Sequence, residues 1–229
     1  MDHILDNPVW NALISSNSDM AIGNDLVKLF PADVAPFAGL KHFNPASFSV
    51  LSDLVPPKRT VVIVTAKKAE IPPSWNVVHQ TVLFQMTGES FGPSLSNNKD
   101  IVHLQKDHVP RMIALTQLTN PGPFLERTIE FGNYTGIFKG DQLVAMAGQR
   151  MHVNQYTEIS AVCTHPDHFG NGYGTALINN QADRILAAGN IPFLHVRKDN
   201  GNAIKLYSHL GFDIREEMNL YVIKKQSDE

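Results

Sequence analysis

The run His165-Pro166-Asp167-His168-Phe169-Gly170-Asn171-Gly172-Tyr173-Gly174 sets glycines at alternate positions just ahead of a helical pattern. Glycine has no Cβ to hold a ligand away, and the first N–H groups of a helix have no acceptor within it. Together they suit a phosphate-bearing ligand seated on backbone amides. A tight strand-to-helix bend would use the same glycines, so this run alone is a weak signal. It is not the phosphate loop of a nucleotide hydrolase, because Thr175 follows Gly174 with no lysine between them.

A second chemistry is carried by Cys163 and His165. They lie two apart, so an extended strand turns both to one side, and a cysteine assisted by histidine can be a nucleophile. No third residue to orient the pair is evident, and a lone strand cysteine usually serves as a buried apolar residue. As the only cysteine, Cys163 also excludes an intramolecular disulfide and a cysteine-based metal cluster.

The elements that must position these residues read as two unlike halves. From about residue 101, Asp107 is placed to cap a helix through Arg111 to Leu118, ended by Asn120-Pro121-Gly122-Pro123. Three strand-like runs follow, Tyr134 to Lys139, Gln142 to His152 and Tyr156 to Thr164, separated by short polar breaks that favour antiparallel hairpins. The glycine loop then opens a helix from about Thr175 to Ala188, stopped at Gly189. Phe193 to Arg197 reads as a strand. A short helix from Asn202 aligns Ala203, Leu206, Tyr207 and Leu210 on one face, and Met218, Leu220 and Val222 alternate along a last strand. Residues 1–100 are proline-broken α/β material with a helix expected over Asn24 to Phe30 and strands over Thr60 to Thr65 and Trp75 to Met86. The polar stretch from Gly92 to Asp100 is the expected boundary between the halves.

The totals bound the function. The 229 residues carry 19 basic and 22 acidic side chains, a formal charge of -3, which argues against nucleic acid as a partner. The amino terminus is acidic and lacks a long apolar core, and no run is apolar enough to span a membrane. A cytoplasmic protein with no membrane partner is the expectation, with its oligomeric state unreadable.

Three segments in order, Val162-Cys163-Thr164-His165-Pro166, Gly170 to Leu177, and Asn200-Gly201-Asn202-Ala203-Ile204-Lys205-Leu206-Tyr207 followed by Gly211-Phe212, resemble the GCN5-related N-acetyltransferase (GNAT) superfamily, in its FR47-like branch. The resemblance covers roughly residues 101–229. It implies an α/β (α+β) fold, a mixed and mostly antiparallel central sheet flanked by helices. Residues 1–100 are then expected to form a smaller N-terminal α/β domain, as a degenerate copy of that fold or a lid.

The resemblance also implies an activity, transfer of an acetyl group from acetyl-CoA to a primary amine of a small molecule or amino acid, without a metal. The coenzyme pyrophosphate would lie on the loop formed by Phe169, Gly170, Asn171, Gly172, Tyr173, Gly174 and Thr175. Phe169 stands where the superfamily has Gln or Arg, with Asn171 and His168 placed to compensate. Val162, Cys163 and Thr164 would hold the pantetheine arm and polarise the thioester through their main chain. Asn200 matches a position that contacts the coenzyme, and also suits a helix-entry turn. Tyr207 matches the tyrosine that protonates the departing thiolate, while its ring can complete an apolar helix face.

The attacking amine must lose a proton, and Glu158 at the start of the third strand is the candidate general base. By simple alternation it shares a face with Ser160 and Val162, unless a bulge intervenes. Glu126 and Arg127 would sit near the acceptor if the first helix and its loop wall the site, and Arg150 is a candidate for gripping an acceptor carboxylate. The alternative to an enzyme is a degenerate acyl-CoA-binding regulatory module, which the unusual Phe169 favours.

Overall fold

The computed structural model describes residues 3–92 and 100–226. In chain order its helices and strands are α1 (Pro8–Leu13), β1 (Ile22–Gly23), β2 (Val27–Leu29), β3 (Ala38–Leu40), α2 (Pro45–Leu54), β4 (Thr60–Thr65), β5 (Trp75–Thr87), β6 (Ile101–His103), α3 (Val109–Thr119), β7 (Thr135–Lys139), β8 (Gln142–Val153), β9 (Tyr156–Thr164), α4 (Tyr173–Ala187), β10 (Ile191–Arg197), α5 (Gly201–His209) and β11 (Asp213–Lys225). A short 3-10 turn, Ile4–Asp6, precedes α1.

Two expected boundaries shift for local reasons. No helix forms over Asn24 to Phe30. The Asn24 side chain accepts from the amides of Leu26 and Val27, and this turn feeds the hairpin of β1 and β2 instead. Asp107 is not the cap of α3, because a 3-10 turn over Lys106–His108 precedes the helix and Pro110 sits in its first turn.

The large sheet has eight strands in the order β4-β11-β5-β10-β9-β8-β7-β6. It is mixed and mostly antiparallel; among the strand pairs of the described residues β9 with β10 is the parallel one, and Phe37 adds a parallel bridge to Val62 of β4. One face packs on α4 and α5 through Ile178, Ile185, Leu194 and Phe212. The other packs beneath α1 and α3 through Leu5, Leu13, Met112 and Phe193. α1 also lies directly on β3, and only glycine fits there. A Cβ at Gly39 would stand 2.5 Å from the Trp10 backbone.

The first half of the chain completes this sheet. β5 lies between β10 and β11 and pairs with both, from Phe193↔Thr87 to Arg197↔Leu83 on one side and from Asp213↔Thr87 to Lys225↔Trp75 on the other. β4 extends the far edge on β11. The expected division near residue 100 therefore does not separate two sheets, and the boundary stretch 93–99 lies outside the described residues. The strands of residues 60–87 pair within the sheet with strands more than a hundred positions later, which periodicity along the chain cannot reveal.

Candidate active site

β9 and β10 pair over three residues, Ile191↔Tyr156, Pro192↔Thr157 and Phe193↔Glu158, and then part. Beyond that point β10 pairs only with β5, so the edge of β9 from Ile159 to Thr164 faces an open wedge. A strand edge left unpaired presents backbone N–H and C=O groups to whatever enters. Val162, Cys163 and Thr164 line that edge.

The strand is also bent there. Met146 pairs with Cys163 and Gly148 with Ser160, so two residues of β9 oppose one of β8. Ala161 takes a left-handed φ of 53° to accommodate the extra residue. The bulge overturns the simple alternation. Val162 joins Ile159 on the α4 face, while Glu158 and Cys163 turn to the α3 face.

The glycine loop stands at the mouth of the wedge, at the start of α4. Gly170 and Gly172 have φ of 80° and 73°, which a side chain at either would strain, and Gly172 occupies the N-cap position without a side-chain cap. The first amide of this segment with a carbonyl partner is that of Ala176, bonded to the Gly172 oxygen. Among the described residues, the amides of 170 to 175 donate to nothing. Asn171 folds its Nδ2 back onto the carbonyls of His168 and Phe169. A Cβ at Gly174 would have only the Thr164 hydroxyl nearby, at 3.9 Å. The loop thus presents a run of unpaired backbone donors, and such donors at a helix start fit a coenzyme pyrophosphate. Phe169 is 66% exposed beside it and contributes no donor beyond its backbone.

On the α4 side, Tyr207 of α5 packs in the same cluster as Val162 of β9 and Val196 of β10, one from each bank of the wedge. Its ring meets Phe212 edge-on at 6.2 Å. Burial pushes the phenol up to about 12, so it stays protonated and able to donate. Asn200 caps α5, its Oδ1 accepting from the Ala203 amide at 3.1 Å. Its Nδ2 has no partner among the described residues.

Several expectations need correction. Glu158 is fully buried, with both carboxylate oxygens held by Arg150 at 2.6 and 2.8 Å and one also by His195 Nδ1 at 2.8 Å. The Met151 amide adds a longer bond at 3.3 Å. Burial alone would raise its pKa, but the Arg150 charge and these hydrogen bonds outweigh it and hold the carboxyl well below the usual range. A carboxylate so satisfied is a poor proton acceptor, so the geometry does not support it as the general base.

Arg150 is equally committed. Its guanidinium binds Glu158 and lies 4.7 Å from the centre of the Phe37 ring, so it is not available to grip an acceptor. The Cys163 thiol points into the core beside Thr119, and burial pushes it up to about 11. His165 Nδ1 accepts from the Asp167 amide, so no nucleophilic pair forms. Arg127 bridges Asp33 and Glu130 at the surface, and Glu126 borders a separate cavity beside α3.

The sequence reading missed the partner of Glu158. His195 stands two residues past Phe193, the last residue of β10 paired with β9, so its bond to Glu158 ties the two strands where their backbones part. Gln85 Nε2 donates to the Leu5 carbonyl and contacts His195 Nε2, both at 3.0 Å, while Gln85 Oε1 accepts from Arg215 Nε. With the amide orientation fixed this way, His195 Nε2 must accept, and its proton sits on Nδ1 facing Glu158. Arg215 continues to Asp6, so one polar row runs across five strands from Asp6 to Arg150. The available signal was a polar residue inside an apolar run, Gln85 between Phe84 and Met86 and His195 between Leu194 and Val196.

Comparison with known proteins agrees with this geometry. The family description "FR47-like protein" matches residues 134–222. No curated protein is a significant match. A GNAT-family protein from Novosphingobium aromaticivorans, designated an acetyltransferase, is 31% identical over 99% of this chain and 100% of its own, with a TM-score of 0.92. A GCN5-related N-acetyltransferase from Kribbella flavida shares the fold at 12% identity and a TM-score of 0.65, covering 98% of this chain and 96% of its own. A GCN5-related N-acetyltransferase-like protein from Streptococcus suis does so at 14% identity and a TM-score of 0.56, covering 89% and 82%. With the parted strands, the open amide loop and a relative matched along its whole length, the chain belongs to the GCN5-related N-acetyltransferase family, in its FR47-like branch, and is an acyltransferase.

Proposed function

We propose that the chain transfers an acetyl group from acetyl-CoA directly to a primary amine of a small molecule or amino acid. The observation that carries this reading is the unpaired amide cluster of residues 170–175 beside the wedge between β9 and β10. The coenzyme supplies an activated thioester. The loop amides, Phe169 and Thr175 included, hold its diphosphate, and the free edge of β9 from Val162 to Thr164 holds its arm. A backbone N–H on that edge faces the thioester oxygen, where preorganised donors are worth most. The amine nitrogen bonds to the acetyl carbon, the carbon–sulfur bond breaks, and Tyr207 gives its proton to the sulfur. Holding both reactants in the wedge supplies much of the acceleration.

In this reading the Glu158–Arg150–His195 cluster positions the two strands, and the amine sheds its proton to water. The rate should then rise with pH toward the pKa of the amine itself, about 8 to 10 for ordinary amino groups. Asn200 acts mainly by capping α5, with its Nδ2 facing the coenzyme. Residues 1–100 serve as the structural partner of the catalytic half. No helix among the described residues is long and apolar enough to span a bilayer.

The test is calorimetric titration with acetyl-CoA of the parent and of Gly172→Asp. The variant places a Cβ at a φ of 73° and a carboxylate among the donors. Binding by the parent and its loss in the variant are expected. Parent protein that binds no acetyl-CoA would overturn the proposal, and tight binding without turnover on any amine would make it a regulatory coenzyme-binding module.

A further inference from the structure

Tyr134, the residue just ahead of β7, is 1% exposed, yet among the described residues its hydroxyl has no hydrogen-bond partner. Nor is that oxygen sealed in the core, as the orphaned polar atoms of Ser47 and Trp75 are. Buried tyrosine hydroxyls ordinarily find a partner, so an unpartnered one that is still open points to a ligand.

A glycine fixes where this hydroxyl goes. The ring crosses β8 directly over Gly148, where a Cβ would stand 2.2 Å from it. Gly148 pairs with Ser160 of β9, and the next residue along that strand is Ala161, the left-handed residue of the bulge. Ala161 and Phe124 pack in the same α3-face cluster as Tyr134, and Phe124 meets the tyrosine ring edge-on at 5.5 Å. The phenol also lies in the field of Arg150 and Glu158, which stand where β9 and β10 part. The hydroxyl is thus carried across β8 toward the wedge from the α3 face. Tyr207 borders the same wedge on the α4 side.

We propose that the Tyr134 hydroxyl holds the acceptor amine for attack by accepting one of its N–H groups. This deepens the acetyl-transfer reading and rests on it. The amine nitrogen bonds to the acetyl carbon, the carbon–sulfur bond breaks, and Tyr207 supplies the proton for the sulfur. Tyr134 keeps its own proton throughout, because burial holds the phenol above its ordinary pKa. The nitrogen gives up its extra proton to water. Its contact with Tyr134 strengthens as positive charge develops on nitrogen, so it acts on the transition state rather than on donor binding. The two phenols then serve opposite ends of the reaction from opposite faces of the sheet.

Tyr134→Phe removes only this oxygen. It is compared with the parent on the best acceptor from a panel of primary amines that includes methylamine, 2-phenylethylamine, putrescine and L-lysine. The amine kcat/KM should fall by at least about tenfold, the worth of a hydrogen bond to a charged group. Acetyl-CoA affinity, read by calorimetry, should stay within about twofold. The melting temperature should lie no more than about 4 °C below that of the parent, because no bond within the protein is lost. A parent that acetylates none of the panel would sink the acetyl-transfer reading and this contact with it. With an active parent, a smaller fall in kcat/KM, or a loss of acetyl-CoA affinity that matches the loss of turnover, would overturn the contact alone. So would a larger drop in melting temperature, the mark of a hydroxyl that serves the fold.

Discussion

Replacing Glu158 by Gln distinguishes a carboxylate that positions strands from one that takes protons. The substitution keeps the size of the side chain but removes its charge and turns an N–H₂ group toward Arg150 or the Met151 amide, both donors. Arg150, with a side chain only 13% exposed, is left as a buried cation without a counter-charge. Breaking one side of a buried ion pair costs about 3–5 kcal/mol. For a chain of this size, about 2–4 °C of Tm accompanies each kcal/mol, so thermal unfolding should move down by about 6–20 °C.

The pH dependence has a definite sign. Glu158 has a folded pKa held below the ordinary value by Arg150 and His195, so its contribution is present above the unfolded carboxyl pKa. It is lost as pH falls toward the folded value. The parent should lose stability below about pH 4.5 through this group, and Glu158→Gln should show a flatter decline. Converting the pair to apolar residues, Arg150→Met with Glu158→Leu, should restore most of the lost stability, because the stranded charge is gone. Differential scanning calorimetry across pH, with turnover measured on each folded variant, reads all of this. A Glu158→Gln protein that melts within about 2 °C of the parent yet turns over a thousandfold more slowly would refute the argument and return Glu158 to the role of base.

Tyr207→Phe keeps the ring that packs on Phe212 and removes only the hydroxyl, so acetyl-CoA affinity should hold while kcat falls by about a hundredfold or more, as loss of a general acid does. Because the phenol is pushed up to about 12, the parent should show no alkaline decline in rate from this group until pH approaches that value. A fragment of residues 101–229 lacks β4 and β5, which leaves β10 paired only with β9 and β11 with no partner strand, and it should fail to give a cooperative unfolding transition. A folded, active fragment would count against the shared sheet as a requirement for the site.

The comparison of sequence with structure divides by the range of the forces involved. The glycine loop, the helix it opens, the capping of α5 by Asn200 and the strand Tyr156 to Thr164 were all legible, because each depends on residues within a few positions. The first amides of a helix have no acceptor within it, so the unpaired donors of this loop needed no tertiary information. The order of these segments was enough to recognise the family.

What the sequence did not show came from distant partners. Glu158 reads along the chain as a strand carboxylate free to titrate. Arg150 on β8 and His195 on β10 make it a buried member of an ion pair. The faces of Val162 and Cys163 turned on one left-handed residue, Ala161, whose bulge answers to the register of β8. Residues 60–87 carry strand periodicity from the start, but the place of β5 between β10 and β11 follows only from the folded sheet. Local chemistry thus determined which ligand group the loop can hold, while the protonation and reach of every other candidate were decided by the neighbours that folding brought to it.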